Sequence, residues 1–142
     1  MKKKLLWIVI PLILIVAISV LLFIQINYPK KTFSELLGTD EARVTKVLMR
    51  KGFDMSSVET TDKGKIKELI NILNDKYYRK SFNQELISGY TYFYDFYSGD
   101  KAILRITGSG NTVCVNDTYC NVSKEISLDL LNNWFNSLSP KK

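Results

Sequence analysis

The chain opens with a long uninterrupted hydrophobic segment. Leu5 to Ile24 contains no charged residue, and only Pro11 and Ser19 within it fall outside the hydrophobic class. A helix rises 1.5 Å per residue, so a run of this length spans about 30 Å, the thickness of a bilayer's hydrocarbon core. The pattern predicts a transmembrane helix over residues 5–26, preceded by a basic stub at residues 1–4.

The remainder of the chain is patterned like a small domain. Residues 27–31, which include Pro29, are expected to form a juxtamembrane connector, and residues 32–142 a separate domain. Within it, Asp62 precedes apolar residues spaced i, i+3, i+4 and i+7, which predicts a capped amphipathic helix ending near Lys76. A last helix is predicted from Ser127 to before Pro140. Its expected buried residues are Leu128, Leu131, Phe135 and Leu138.

Strand signals lie between these two helices. Residues 90–97 alternate so that Tyr90, Tyr92, Tyr94 and Phe96 point one way and Thr91, Phe93, Asp95 and Tyr97 the other. Further strands are predicted over 102–107, 112–115 and 119–122, separated by turn residues. Short turns between successive strands favour an antiparallel meander with both helices on one face. The predicted fold class is therefore α+β: a transmembrane helix followed by a domain with an antiparallel sheet and two helices.

One segment supports two interpretations. Thr39 as a cap, acidic residues after it and Gly52 at the end resemble a helix. The β-branched run Val44 to Met49 instead resembles a strand, for which Ser57 to Thr61 would be the hairpin partner. Propensity alone leaves both structures open for residues 39–51.

Charge indicates which classes of partner to expect. The formal net charge is +6, but five of the 20 basic residues, at positions 2–4 and 30–31, flank the apolar run. The rest of the chain contains 15 basic and all 14 acidic residues, so the net charge of the domain is close to zero. No nucleic-acid partner is therefore expected. Lysines before the apolar run favour a cytoplasmic amino terminus in the cell membrane and a domain on the far side. Ala17-Ile18-Ser19 resembles a cleavage site, yet the apolar run continues beyond it, so we expect an uncleaved, single-pass signal anchor.

The chain contains two cysteines, which lie close together in the sequence. If Asn116 to Thr118 form a three-residue loop, Cys114 and Cys120 lie opposite each other on a hairpin and form a disulfide. The alternative is two free thiols in a reducing compartment. The sequence has no His to complete a zinc site, and no glycine-rich loop that leads into a helix. No metal or other cofactor is expected.

The order of segments also resembles a known group of proteins. The similarity lies in Val44–Arg50, in Thr60–Ile70, in the aromatic strand with Ile103–Thr107, and in the tail around Tyr119–Val122. Small membrane-tethered extracytoplasmic domains of unknown function from Gram-positive bacteria share this order. The resemblance implies that Val44–Arg50 is a strand. It carries no established activity, so it transfers no functional residue.

The aromatic strand offers the candidate site. Thr91, Phe93, Asp95 and Tyr97, together with Tyr92, are the candidate binding face, because aromatic rings can stack on a sugar or a peptide. The alternative, which we favour, is that one face packs under the helices and the other is a half-exposed aromatic ladder. The expected function is binding, through an extracytoplasmic domain, to an envelope protein, a peptide or a wall polymer, with the lipid bilayer holding residues 5–26.

Catalysis is the competing class of function. The absence of His removes the commonest general base, so an enzyme would have to be an envelope hydrolase that uses carboxylates alone. Glu85, Asp95 and Asp100 are its candidate residues. A membrane-tethered immunity or inhibitor protein is a narrower form of the binding hypothesis. We expect that the chain is not an enzyme.

Overall fold

The computed structural model of the chain describes residues 2–85, 89 and 91–139. Within them an apolar amino-terminal helix leads into a mixed α+β fold built on one antiparallel sheet. The elements in chain order are α1 (Lys2–Asn27), β1 (Lys30–Thr32), α2 (Phe33–Leu37), a 3-10 helix (Glu41–Arg43), β2 (Lys46–Lys51), β3 (Ser57–Thr60), α3 (Lys63–Asn74), β4 (Tyr77–Lys80), β5 (Tyr92–Ser98), β6 (Lys101–Thr107), β7 (Gly110–Val115), β8 (Thr118–Ile126) and α4 (Leu128–Leu138).

Helix α1 is long and apolar enough to cross a membrane, as the hydrophobic run predicts. Its qualifying segment is Val9–Asn27, none of which is buried against the rest of the protein. The Tyr28 N–H still donates to the Ile24 carbonyl at 2.9 Å, so the helical bonding continues one residue beyond α1. Strand β1 then begins at Lys30. Two residues, Tyr28 and Pro29, therefore separate α1 from β1.

In the described part of the chain, the sheet contains eight antiparallel strands in the order β1-β4-β8-β7-β6-β5-β2-β3. Its centre, β5 to β8, is the predicted meander. Tyr90, with which the alternating run begins, lies outside the described residues. Two further strands, β1 and β4, extend the sheet beyond β8 and were not predicted. Both are short and rich in Lys, Arg or Tyr, so they carry no apolar alternation that could signal a strand.

The ambiguous segment 39–51 contains a short 3-10 helix followed by a strand. Asp40 accepts a hydrogen bond from the Ala42 N–H at 2.9 Å, which caps that single helical turn. Strand β2 then pairs with β3 on one side and with β5 on the other. Val47 and Met49 alternate into the core and are both 0% exposed. The strand interpretation is confirmed, because packing against β5 outweighs the local helix signals.

Helices α3 and α4 pack together, and the Trp134 indole N–H donates to the Lys65 carbonyl at 2.8 Å. Asp62 and Ser127 are their N-caps, as predicted. In α4 the buried residues include Trp134, which was not predicted, whereas Leu128 is 41% exposed. The expected burial of Leu128 is wrong because this residue lies in the first turn of α4, which extends beyond the edge of the core.

The number of helices also differs from the prediction of an anchor and two domain helices. A short helix, α2, follows β1 directly. Thr32 and Glu35 form a capping box, in which the Glu35 carboxylate accepts the Thr32 N–H at 2.6 Å. Phe33 and Leu37 are buried in the core shared with α3. Five residues are too few to show a helical period in the sequence, so this element was missed.

The predicted disulfide between Cys114 and Cys120 is wrong, and both cysteines are free thiols. The β7–β8 turn has two residues, Asn116 and Asp117, with φ of 44° and 65°. Cys114 therefore lies opposite Tyr119, and Cys120 opposite Val113. A one-residue change of register turns a side chain to the other face of the sheet, so the two thiols point to opposite faces.

This register predicts unequal thiol reactivity. Cys114 is half-buried and Cys120 is buried in the core, and burial raises the pKa of both thiols. We expect a maleimide to modify Cys114 slowly in the folded, full-length protein and to leave Cys120 unmodified. Denaturation without a reductant should expose both, and intact-protein mass spectrometry counts the added groups. Thiols that stay blocked in denaturant would contradict the free-thiol arrangement.

Candidate binding groove

Strand β5 divides the predicted site residues between the two faces of the sheet. Phe93 and Tyr97 are half-buried on the face that α3 and α4 leave uncovered, here called the outer face, and Thr91, just before the strand, is half-buried as well. Asp95 lies on the same face but is only 1% exposed. Four of the five candidate residues therefore occupy the outer side of β5 and the residue that precedes it.

Tyr92, the fifth candidate, faces the core instead. It is 1% exposed, packs against the Phe135 ring of α4 and donates from its hydroxyl to the Asn132 side-chain oxygen. Tyr94, two residues on, is 0% exposed and donates to the Gly108 carbonyl. Burial raises the pKa of both hydroxyls. Their hydroxyls thus have partners within the fold, and the aromatic row on this face is core, as the favoured alternative expected.

A cluster of three charges lies at the middle of the outer face. Asp95 accepts hydrogen bonds from Arg50 Nη2 at 3.0 Å and from Arg105 Nε at 2.5 Å, and Arg105 Nη2 lies 3.3 Å from its second oxygen. The sheet register builds this cluster, because Arg105 is directly opposite Asp95 and Arg50 is diagonal to it on β2. The two guanidinium groups cover Asp95, so its carboxylate is buried although it lies on the outer face.

The cluster leaves positive charge on the surface. Arg50, Arg105 and the nearby Lys51 carry three positive charges against the two carboxylates of Asp95 and Asp117, so one positive charge is in excess. The side chains of Arg50 and Arg105 remain 40% and 53% exposed. The hydrogen bond that Arg105 donates to Asp95 raises the pKa of Arg105, which keeps it charged. The Arg50 guanidinium carbon also lies 5.8 Å from the centre of the Phe93 ring, within cation–π range.

These side chains line a groove of about 440 Å³ on the outer face. Its floor comes from β5, β6, β7 and β8, and one end is formed by the β2–β3 hairpin. Guanidinium groups, aromatic rings and apolar side chains therefore meet in one depression. The lining residues are Arg50, Lys51, Gly52, Met55, Phe93, Arg105, Thr107, Cys114, Asp117 and Tyr119.

The β2–β3 hairpin, whose Met55 lines the groove, carries two exposed apolar side chains. Phe53 is 83% exposed and Met55 is 77% exposed. Met55 also has a φ of 57°, in the left-handed region that costs a non-glycine residue roughly 1–2 kcal/mol. Two large apolar side chains on a strained turn therefore lie outside the core. Such an arrangement is typical of a binding surface.

The candidate catalytic carboxylates have different surroundings. Glu85 is exposed in the loop after β4, and Asp100 is exposed in the turn between β5 and β6. Asp95 has guanidinium donors on both of its oxygens. Among the residues that the structure describes, no group of three His, Cys, Asp or Glu side chains is arranged to hold a metal ion. Phe93 and Asp95 are candidates from the sequence, whereas Arg50 and Arg105 are candidates only from the structure. The two arginines lie far apart in the sequence, and only strand pairing brings them to one carboxylate.

The charge cluster predicts a specific loss of stability. Asp95→Asn keeps the shape of the side chain but removes the negative charge between two guanidinium groups. Because both arginines are partly exposed, we expect a loss of about 2 kcal/mol, below the value for a fully buried pair. Asp100→Asn, in an exposed turn, should change the free energy of unfolding by less than about 0.5 kcal/mol. Denaturant titration of the full-length protein measures both, and equal effects would contradict the cluster's structural role.

Comparison with protein-family models, with curated proteins and with solved structures finds no match to this chain. The function therefore has to be inferred from the geometry of the groove and of the anchor.

Proposed function

We propose that this protein is a single-pass membrane protein that presents an extracytoplasmic domain for binding a partner through its outer-face groove. The observation that carries the proposal is the groove itself, where Arg50 and Arg105 face solvent beside Phe93 and an exposed apolar hairpin. None of the helices in the described part of the domain covers this face, and its positive charge exceeds what Asp95 neutralises. A folded domain gains nothing by exposing these apolar side chains unless they contact a partner.

The chemistry of the groove favours an acidic peptide segment with apolar side chains. Guanidinium groups bind carboxylates with two parallel hydrogen bonds, and Arg105 is held in place by Asp95 before any ligand arrives. Phe93 and Met55 supply contact area for apolar side chains. An envelope protein with such a segment is the partner that we propose, and this includes a toxin bound by an immunity protein.

The hydrolase hypothesis has less support. A catalytic carboxyl group must be able to reach the substrate, and a glycosidase needs two of them flanking one bond. Asp95 is only 1% exposed and is covered by two guanidinium groups, and Glu85 and Asp100 lie in separate exposed loops. We therefore propose binding rather than catalysis as the activity of the domain.

The proposed orientation rests on charge at the ends of α1. Lys2, Lys3 and Lys4 precede the apolar segment, and the positive-inside rule places such a cluster in the cytoplasm. We expect protease added to intact cells to digest the domain, while a cytoplasmic marker stays intact until lysis. The mass of the untreated protein should include residues 1–26, as an uncleaved anchor requires. A domain that is protected until the cells are lysed would reverse the proposed orientation.

The groove predicts charge-dependent peptide binding. The probes are peptides that alternate Glu with Phe, Leu or Met, and the same peptides with Gln in place of Glu. We expect the detergent-solubilised full-length protein to bind the acidic set at least about tenfold more tightly, or about 1.4 kcal/mol. Arg105→Gln should weaken this preference strongly, since it removes the more exposed of the two guanidinium groups. Isothermal titration calorimetry measures the affinities.

Two further variants separate the groove from general effects of charge and stability. Lys67→Gln removes an exposed cation from α3, on the opposite side of the sheet, and should leave the affinity unchanged. Met55→Gly removes an apolar side chain that lines the groove, so it should lower the affinity for the peptide. Because glycine adopts the left-handed conformation without strain, the melting temperature should not fall. Equal affinities for the acidic and the neutral peptides would contradict the proposed ligand class. That result would be expected of a groove that binds a neutral ligand such as an uncharged wall polymer.

A further inference from the structure

A second exposed aromatic residue lies next to the end of the anchor. Phe82 follows β4 and is 69% exposed. Its ring packs on Tyr28, with 4.3 Å between the ring centres. Tyr28 is the first residue after α1, so this contact joins the domain to the end of the apolar helix. Most of the Phe82 side chain nevertheless remains accessible from outside the fold.

Helix geometry gives the depth of this aromatic pair if α1 spans the bilayer. The continuous apolar run ends at Ile24, and the helical hydrogen bond from Tyr28 to Ile24 shows that one further turn follows. Four residues rise about 6 Å. The headgroup region on each side of the hydrocarbon core is about 5–8 Å thick. Tyr28, and Phe82 beside it, therefore lie at the depth where membrane proteins carry their interfacial aromatic residues.

Cationic side chains surround the pair. The Lys80 ammonium lies 6.0 Å from the centre of the Tyr28 ring, and Lys31, in β1, is exposed. Lys31 and Lys80 point to the same face of the sheet, because Lys31 lies opposite Tyr78, two residues before Lys80. The carboxylate that shares a hollow with Lys80 is Glu35, which the Thr32 N–H already engages at 2.6 Å. The surface thus combines aromatic rings with ammonium groups, the composition that suits anionic headgroups.

We propose that Phe82, Tyr28, Lys31 and Lys80 form a second membrane contact, in which the rings enter the headgroup region and the ammonium groups bind lipid phosphates. The partner is the bilayer that holds α1, so this inference rests on the proposed anchor. Two contacts, the helix and this surface, fix the tilt of the sheet relative to the membrane. The contact would explain why a large aromatic side chain is left exposed beside the helix end.

A tryptophan reporter tests the contact in the full-length chain. Phe82→Trp is made in a Trp7→Phe background, so that Trp134, buried and bonded to α3, is the only other indole. The protein is reconstituted in vesicles containing phosphatidylglycerol and a lipid brominated near the top of its acyl chains. We expect the indole introduced at position 82 to emit at a shorter wavelength than an indole in water. Its emission should be about twofold weaker with the brominated lipid than without it, as expected of an indole at the membrane interface.

Leu128→Trp is the matched control, because Leu128 is also apolar and 41% exposed. Lys80 lies opposite Cys120, and seven residues, the rest of β8 and the N-cap of α4, separate Cys120 from position 128, about 25 Å of chain. The emission of the control indole should resemble that of an indole in water and should not be quenched. Lys80→Glu should weaken the quenching at position 82, and Lys80→Arg should preserve it.

Vesicle flotation separates failure of this inference from failure of the anchor. Protein that floats with the vesicles while the indole at position 82 stays unquenched would overturn the second contact and leave the anchor intact. Protein that fails to float would overturn both proposals. Equal quenching at positions 82 and 128 would also overturn the proposal, since the contact would then not be confined to the surface around Phe82.

Discussion

Strand β5 lies near the middle of the sheet, and the alternation of its side chains constrains both the core and the groove. Its odd and even positions cannot exchange faces without a change of register on β2 and β6 together. Tyr94 and Phe96 are 0% exposed beneath the helices, which makes such a change very costly. Phe93 and Asp95 are consequently held on the outer face. The same packing that stabilises the fold therefore positions the candidate site.

The electrostatics of the outer face follow from that constraint. A carboxylate in the middle of a sheet loses hydration, so Asp95 needs donors from neighbouring strands. Arg50 and Arg105 supply them and remain partly exposed, because long side chains keep part of each guanidinium in water. Asp95 therefore acts as a positioning residue for two cations. A groove with preorganised guanidinium groups can bind a carboxylate ligand without first ordering flexible side chains.

The anchor and the domain are closely coupled in space. Only residues 28 and 29 separate α1 from β1, and Tyr28 already contacts Phe82 of the domain. A link this short gives the sheet little freedom to move away from the end of the helix. If α1 spans the membrane, the groove is presented at a limited range of heights and angles above the lipid. A partner would then have to reach the groove close to the bilayer surface.

The sequence by itself determined the elements whose period is local: the apolar run of α1, the capped helices α3 and α4, and the alternation within β5 and β6. Beyond the order of the β5–β8 meander, it did not determine the register between strands or the contacts between distant elements. The Arg50–Asp95 ion pair joins residues 45 positions apart, and the thiols of Cys114 and Cys120 point to opposite faces because the turn has two residues rather than three. Strand β4 joins the sheet along the edge of β8 that β7 leaves open, and β1 then pairs with β4. Hydrophobic periods record which side of an element is buried, whereas register and long-range ion pairs depend on packing between distant segments, which only the tertiary structure decided.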